Sequence, residues 1–318
     1  MAGACATLPP SSILPSAQSA SLIEVSPSII RLSQTARESG RADAAVSELW
    51  PLVLRLETQA TQDRGNPPLL LTLASAQAML GVILGDLLPE EQLWISVQFF
   101  KQAAALVEDH GDARLQAEVY RGCGNEMRKH KKYTEAVSYL ERAFSLAPDS
   151  MSRGIAAALL ARTYGEMGDK EHFLVAMGTV RYAQERAANF IPTFNPVTTR
   201  EVQIRGLLNV GEIGALPSLL DQDSSRSLPV PVAPQWHVIS RITEAEALLR
   251  IGKVDDGLAH LKTALLGAEL CSLPHQVQRA IRAVQVVEAY HPARALGDEA
   301  RILLGKLSQS TSQLPPPR

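Results

Sequence analysis

The stretch EVYRGCGNEMRKHKKYTEAVSYLERAFSLAPD, residues Glu118–Asp149 of the 318-residue chain, decides the fold. Apolar and small residues recur in it three and four positions apart, which predicts two helices that each bury one face. The predicted buried residues are Tyr120, Cys123, Gly124 and Met127 on the first helix and Ala136, Leu140 and Ala143 on the second. The second helix is expected to open at Tyr133 and to stop before Pro148, because proline cannot continue a helix. The small residues allow the two helices to approach closely.

This order of small, bulky and terminal proline residues resembles the tetratricopeptide repeat (TPR), a helix-turn-helix unit of roughly 34 residues. Further pairs follow at about Ser152–Glu185 and His237–Cys271, and KVDDGLAHLKTAL from Lys253 parallels KKYTEAVSYLERAF from Lys131. The apolar content of 46% with only 5% aromatic residues favours tight helix packing over sheets. The expected fold is therefore all-α, a right-handed TPR-like helical solenoid of six to seven helix pairs.

The composition divides the chain into a long repeat domain and two end segments. The first segment is rich in Ser, Ala and Pro and cannot bury enough apolar surface to offset its ordering entropy, so we expect disorder there. The first helix is predicted to begin near Ser26-Pro27, a cap residue followed by proline. The predicted divisions are a disordered segment 1–24, a TPR-like superhelical domain 25–307 with interruptions near 190–196 and 221–235, and a disordered tail 308–318.

One uncharged run, Leu69–Gly85, approaches the length of a membrane span. We interpret it as a helix buried inside the solenoid, because Asp86 follows at once and polar residues dilute the run. A membrane span is the alternative. The partner helix, Glu90–Glu108, is expected to return Trp94 and Phe100 to the core.

The sequence offers few signs of catalysis or of cofactor binding. RGCGNEM lacks the third glycine of a dinucleotide loop, the seven histidines are scattered singly, and no nucleophile-base pair stands at a local spacing. Cys123 falls on the packed face, where a thiol acts as a small hydrophobe. We therefore expect no enzyme, no cofactor and no metal site; an enzyme with a site in the concave groove is the remaining alternative.

The net charge and the cysteines indicate the cellular compartment of the protein and the kinds of partner it can bind. Cys5, Cys123 and Cys271 form no regular disulfide framework, which indicates a reducing compartment, and we expect a cytoplasmic protein. A net charge of -2 argues against a nucleic-acid surface over the whole molecule. The basic run RKHKK, Arg128–Lys132, is interpreted as a solvated turn at a helix C-terminus, with contact to nucleic acid or to an acidic partner as the alternative.

The concave groove is the expected binding site. In TPR-like folds the first helix of each pair lines that side, so helical spacing from the packed positions indicates which residues face it. The candidate peptide- or protein-binding residues are Arg121, Asn125, Arg128, Arg162, Glu166 and Arg205. The Asn amide suits a peptide backbone because it donates and accepts, and Arg suits a carboxylate or phosphate. The alternative is that these residues are exposed and make incidental ion pairs.

The order of features over about residues 25–305 resembles the C-terminal regulatory region of actinobacterial Xre/Cro-type helix-turn-helix transcriptional regulators. The resemblance rests on AVSELWPLVLRLE (Ala45–Glu57), on FNPVTTREVQIRGLLNVGEIGAL (Phe194–Leu216) and on ITEAEALLRIGKVDDGLAHLKTALLGAE after Pro234. That family carries a DNA-binding domain before its repeats, and only the segment predicted to be disordered precedes them here, so we expect no direct sequence-specific DNA binding.

The sequence thus predicts a non-enzymatic scaffold that binds a protein or peptide partner and has a regulatory role. The alternative is a ligand- or peptide-sensing regulator module that forms a homodimer and acts through a separate DNA-binding partner.

Overall fold

The computed structural model describes residues 17–221 and 230–311, and this part of the chain is all-α. Two short 3₁₀ segments, Glu90–Gln92 and Ile213–Ala215, join helices. The α-helices are α1 (Ala17–Glu38), α2 (Ala42–Gln62), α3 (Pro67–Leu87), α4 (Leu93–His110), α5 (Ala113–Lys129), α6 (Tyr133–Leu146), α7 (Ser150–Met167), α8 (Lys170–Glu185), α9 (Pro196–Asn209), α10 (Leu216–Leu220), α11 (Pro234–Arg250), α12 (Val254–Leu270), α13 (Pro274–Gln285) and α14 (His291–Thr311). They form seven consecutive pairs, so the all-α solenoid predicted from the sequence is confirmed.

Short-range chemistry sets many of the helix boundaries. Five helices start after an Asn or Asp whose side chain accepts a hydrogen bond from a backbone N–H of the first turn, which satisfies one of the free donors there. These cap residues are Asn66, Asp112, Asp149, Asp169 and Asn195. Between α7 and α8 the chain turns at Gly168, whose φ of 76° is a left-handed conformation that favours glycine.

The central pair, α5 and α6, packs as its sequence predicted. Cys123 and Ala136 are fully buried, and Ala143 is 1% exposed. A Cβ placed on Gly124 would come within 2.6 Å of the Leu140 side chain, so a glycine at this position permits the close approach of the two helices.

The first helix begins at Ala17, earlier than the predicted start, and Pro27 lies inside it. The last eight residues of the segment predicted to be disordered are therefore helical. The reason is a stripe of small residues seven positions apart: Ser19, Ser26 and Ser33 are all buried, and Ser19 Oγ donates to Asp63 at 2.8 Å. Small side chains at heptad spacing allow α1 to lie close against its neighbours, so a serine-rich composition here marks a contact face.

The structure does not describe the two ends of the chain or part of one loop. Residues 1–16, 222–229 and 312–318 are not described, and the predictions of disorder at 1–16 and 312–318 and of a loop at 222–229 lie there. At the C-terminal side, α14 continues to Thr311, four residues beyond the predicted end of the domain.

The prediction for Trp94 was wrong. Its side chain is 45% exposed, whereas Phe100 on the same helix is 1% exposed. The two positions are six residues apart, which at about 100° per residue places them on different faces of α4. Only one of them can face the core.

Helix α3 owes its apolar character to its position inside the solenoid. It packs against α1, α2 and α4, and its residues Leu69, Leu80 and Ile83 are fully buried. Within the described residues it is the one helix long and apolar enough to cross a membrane, and 61% of an apolar 18-residue stretch of this helix is buried in the fold. A core helix passes the same test of length and hydropathy, so the run is explained by burial.

The last helix pair contacts the second pair, which the sequence did not predict. Gln278 of α13 accepts a hydrogen bond from the Glu90 backbone N–H at 2.8 Å and donates to the Glu91 carboxylate. Arg282 forms two hydrogen bonds to the Glu90 carboxylate, at 2.6 and 2.9 Å. The first helices of successive pairs also pack side by side, from α3 through α13 and back to α3. The solenoid is therefore closed into a ring.

Candidate ligand-binding cavity

A cavity of about 380 Å³ lies inside the ring, and the first helix of every pair contributes to its wall. This volume lies within the range of about 300–1,000 Å³ typical of small-molecule sites. The wall is mostly charged. Its cationic side chains are Arg37, Arg128, Lys129, Lys131, Arg162, Arg205, Arg279 and Arg282, and its carboxylates are Asp86, Glu90, Glu126, Glu166 and Glu246.

Beneath this wall, three guanidinium groups surround the buried carboxylate of Glu201. Arg162 Nη2 lies 2.8 Å from Glu201 Oε2, and Arg205 Nη2 lies 2.5 Å from Glu201 Oε1. Arg279 Nη1 is 4.0 Å from the same Oε1, and the Thr243 hydroxyl donates to it at 2.7 Å. Burial raises the pKa of Glu201, but the guanidiniums outweigh burial and lower this pKa to about 2. Glu201 is therefore ionised at neutral pH.

A second carboxylate extends this group toward α5. Arg128 Nη1 lies 2.6 Å from Glu166 Oε1, and Arg205 Nη1 lies 3.8 Å from the same oxygen. Arg128 Nη2 also donates to Asn125 Oδ1 at 3.1 Å. The arginine cluster, defined as Arg128, Arg162, Arg205 and Arg279, thus joins α5, α7, α9 and α13 through shared carboxylates.

The structure brings five of the six predicted site residues to this cavity. They are Asn125, Arg128, Arg162, Glu166 and Arg205. Arg128 and Arg162 are each only 5% exposed, so the alternative of exposed residues with incidental ion pairs is wrong for these two. Their role in binding stays a prediction.

Arg121 does not converge with the others, and this part of the prediction was wrong. It lines a small surface pocket with Glu118, Ala147 and Pro148. Arg121 lies on nearly the same side of α5 as Arg128, but seven residues earlier, which is about 10 Å along the helix axis. Sharing a helical face is therefore not enough to reach the cavity.

The basic run at the end of α5 is only partly solvated, in contrast to its interpretation as a solvated turn. Lys131 and Lys132 are exposed, but Arg128 is buried and the Lys129 side chain is 14% exposed. Lys129 Nζ lies 2.8 Å from Glu126 Oε1 and donates to the Gly85 carbonyl at 3.0 Å. Arg128 and Lys129 are held against the cavity because they belong to the last turn of the inner helix α5, whereas Lys131 borders it from the exposed turn.

The opposite wall, near α1 and α3, is balanced in charge. Arg37 Nε lies 2.6 Å from Asp86 Oδ2, and Lys129 approaches the other carboxylate oxygen at 4.0 Å. Burial raises the pKa of Asp86, but these two cations outweigh it, so the net pKa is lowered. His275 lies beside them, and burial lowers its pKa to about 3, which keeps the imidazole neutral.

Some polar groups of the wall lack partners within the protein. Gln235 is 3% exposed, and neither its Oε1 nor its Nε2 has a hydrogen-bond partner in the described part of the chain. The same holds for Gln276 Oε1. Buried polar groups are normally paired, so such groups at a cavity indicate places for a ligand's own donors and acceptors.

Sequence reasoning missed the cavity residues of α11 and α13. Gln235, Ile239 and Glu246 fall on one helical face of α11, and Gln276 and Arg279 line the cavity from α13. The rule that the first helix of each pair lines the groove would have found these residues.

Two kinds of catalytic group were considered in the described residues, a reactive thiol and a metal site. Burial raises the pKa of the Cys123 thiol to about 12, and the residue is fully buried, so the thiol is not an activated nucleophile. Over residues 17–221 and 230–311, no three His, Cys, Asp or Glu side chains are grouped so that they could hold a metal ion.

The fold and the cavity define a class: a TPR-like helical repeat protein closed around a charged cavity. Among solved structures, the chain is similar to a Rap protein in complex with competence and sporulation factor, with a TM-score of 0.58 and 14% sequence identity. The similarity covers 92% of this chain and 78% of the Rap chain. No family model matches the sequence, and no curated protein matches it.

Proposed function

We propose that this chain is a non-enzymatic TPR-like scaffold that binds a peptide in its central cavity and has a regulatory role. The observation that carries the proposal is the wall of the cavity, in which buried amide and guanidinium groups retain unpaired donors and acceptors. A group that can both donate and accept is suited to a peptide unit, which presents one N–H and one C=O.

The enclosure of the cavity supports a small or extended ligand over a folded protein domain. Helices of all seven pairs line a space of about 380 Å³, a volume that suits a peptide segment or a molecule of similar size. The solved Rap protein of similar fold was bound to competence and sporulation factor, which supports a binding role for this architecture.

The finer parts of the proposal concern cellular role and partners. We propose a cytoplasmic protein that does not bind DNA sequence-specifically. A second candidate is a peptide- or ligand-sensing regulator module that forms a homodimer and acts through a separate DNA-binding partner, as in the Xre/Cro-type regulators that the sequence resembles. The contact of α13 with the Glu90–Gln92 segment favours this candidate, because a ligand in the cavity would touch the last helix pair and the second one at once.

A peptide library tests the proposal. The full chain is incubated with a synthetic pentapeptide library, and retained peptides are identified by mass spectrometry after size exclusion. We expect retention of a defined subset, whose binding is measured by calorimetry. Asn125→Ala should weaken binding without changing the melting temperature much, whereas Glu141→Ala, on the outer helix α6, should not weaken it. Retention of no peptide would refute the proposal. Equal binding by Asn125→Ala combined with a loss in Glu141→Ala would place the site outside the cavity.

A further inference from the structure

The arginine cluster lacks one negative charge. Its four guanidiniums contact three carboxylates among the described residues, those of Glu166, Glu201 and Glu246. The other cations of the wall do not change this count for the buried cluster. Lys129, Arg37 and Arg282 are matched by Glu126, Asp86 and Glu90, and Lys131 is exposed to solvent. One positive charge of the cluster is therefore left without a counter-charge from residues 17–221 and 230–311.

The burial of the cluster makes this imbalance consequential. The exposed fraction of the side chain is 6% for Arg128 and Arg162, and 11% for Arg205 and Arg279. An unmatched charge removed from water is costly unless a partner of opposite sign lies close by. The cavity that these side chains line is the place from which such a partner can reach them.

The cluster also retains free donors. Arg128 Nε, Arg162 Nε and Arg279 Nη1 have no hydrogen-bond partner within residues 17–221 and 230–311. A guanidinium is a planar fork whose paired N–H groups match the two oxygens of a carboxylate. One added carboxylate would supply both the missing charge and acceptors for these donors. A dianion such as phosphate would reverse the imbalance.

The unpaired amide of Gln235 lines the same cavity as the cluster. It belongs to α11, next to Trp236, whose ring lies 4.9 Å from the Arg162 guanidinium. The buried Gln235 side chain has both a free donor and a free acceptor. This combination matches one peptide unit, which accepts through its C=O and donates through its N–H.

From these observations we infer that the ligand is anchored by one carboxylate on the arginine cluster, with the adjoining peptide unit bound by Gln235. The inference rests on the proposed function and specifies the chemistry of its ligand. Two sources supply such a carboxylate, the free C-terminus of a peptide and an acidic side chain.

Two forms of one library distinguish these sources. The pentapeptide library is synthesised once with free C-termini and once with amidated C-termini, and each is offered to the full chain. Retention from the free-acid library alone assigns the anchor to the C-terminal carboxylate. Retention from both, with Asp or Glu enriched at one position, assigns it to an acidic side chain.

The remaining outcomes separate the inference from the proposed function. Peptides retained from both libraries without preference for any carboxylate would overturn the carboxylate anchor while leaving peptide binding intact. Retention of nothing from either library would remove the proposed function and the inference together.

Two variants test the anchoring groups on the best retained peptide. Arg279→Gln should weaken binding at least about tenfold, since a hydrogen bond to a charged group is lost. Gln235→Leu keeps the charge and approximate size and should weaken binding without removing the preference for a carboxylate. The matched control is Arg301→Gln on α14, which lies away from the cavity and pairs with Asp298. If Arg279→Gln binds as tightly as Arg301→Gln, the anchor is wrong; far-UV circular dichroism confirms that each variant is folded.

Discussion

Replacing Glu201 by glutamine tests whether charge holds the centre of the ring together. The carboxylate is buried and lies within 2.5–2.8 Å of Arg162 and Arg205, and it also accepts a hydrogen bond from Thr243. Glutamine keeps the size of the side chain but removes the negative charge. We expect the free energy of unfolding at neutral pH to fall by about 3–5 kcal/mol, because breaking a buried ion pair leaves the other charges uncompensated.

The pH dependence of this loss follows from the pKa of Glu201. The pKa in the folded state is about 2, below the ordinary value of 4.5. The unfolded chain therefore takes up the proton first as the pH falls, so the stabilisation is complete above about pH 5 and is lost between about pH 4.5 and 2. The difference between these two pKa values corresponds to about 3 kcal/mol. The gap in stability between wild type and Glu201→Gln should shrink by about this amount on acidification.

Urea unfolding followed by circular dichroism at several pH values measures both effects. The control is Glu212→Gln, because Glu212 forms an exposed ion pair with Lys170 and its replacement should cost at most about 1 kcal/mol. If Glu201→Gln and the wild type have the same urea midpoint of unfolding at neutral pH, the reasoning is refuted. A stability gap that stays constant from neutral to acidic pH would also refute it.

Three further predictions concern packing and DNA. Ala143→Leu overpacks the contact of α5 with α6 and should lower the free energy of unfolding by about 1–3 kcal/mol, while Ala259→Leu on an exposed face should change it little. Gly206→Ala should lower the melting temperature, because its Cβ would lie 2.0 Å from the Phe173 ring, whereas Gly178→Ala, with open space around it in α8, should raise the stability by up to about 1 kcal/mol. In electrophoretic mobility shifts, the isolated protein should bind DNA only weakly and lose that binding as salt rises; sequence-specific binding at physiological salt would contradict this.

The helices were predictable because their signals are local. The stretch Glu118–Asp149 alone predicted α5 and α6, and the predicted interruption near 190–196 separates α8 from α9. The start of α1 was not predictable from composition, since buried Ser19, Ser26 and Ser33 look the same as serines in a disordered segment until their spacing is considered.

For the candidate site, the sequence predicted which helix faces line the cavity but did not predict the ion partners of the residues there. The rule that first helices line the groove correctly predicted that Arg128 and Arg162 lie at the cavity. It could not show that Glu201, 39 positions further along the chain, contacts Arg162 and neutralises its charge. Ion partners of this kind depend on how neighbouring pairs are stacked. Arg121 shows the other limit, because a helical wheel gives the face of a residue and omits its height along the axis.

The closure of the ring changes how the molecule unfolds. In an open solenoid each repeat contacts only its neighbours, so the terminal repeats fray first and the chain unravels from its ends. Here Arg282 is held by Glu90, a contact that spans 192 positions of the sequence, so α13 and the Glu90–Gln92 segment protect each other. We expect hydrogen exchange in α13 and α3 to be as slow as in the central pairs, and folding to be slowed because such a distant contact must form.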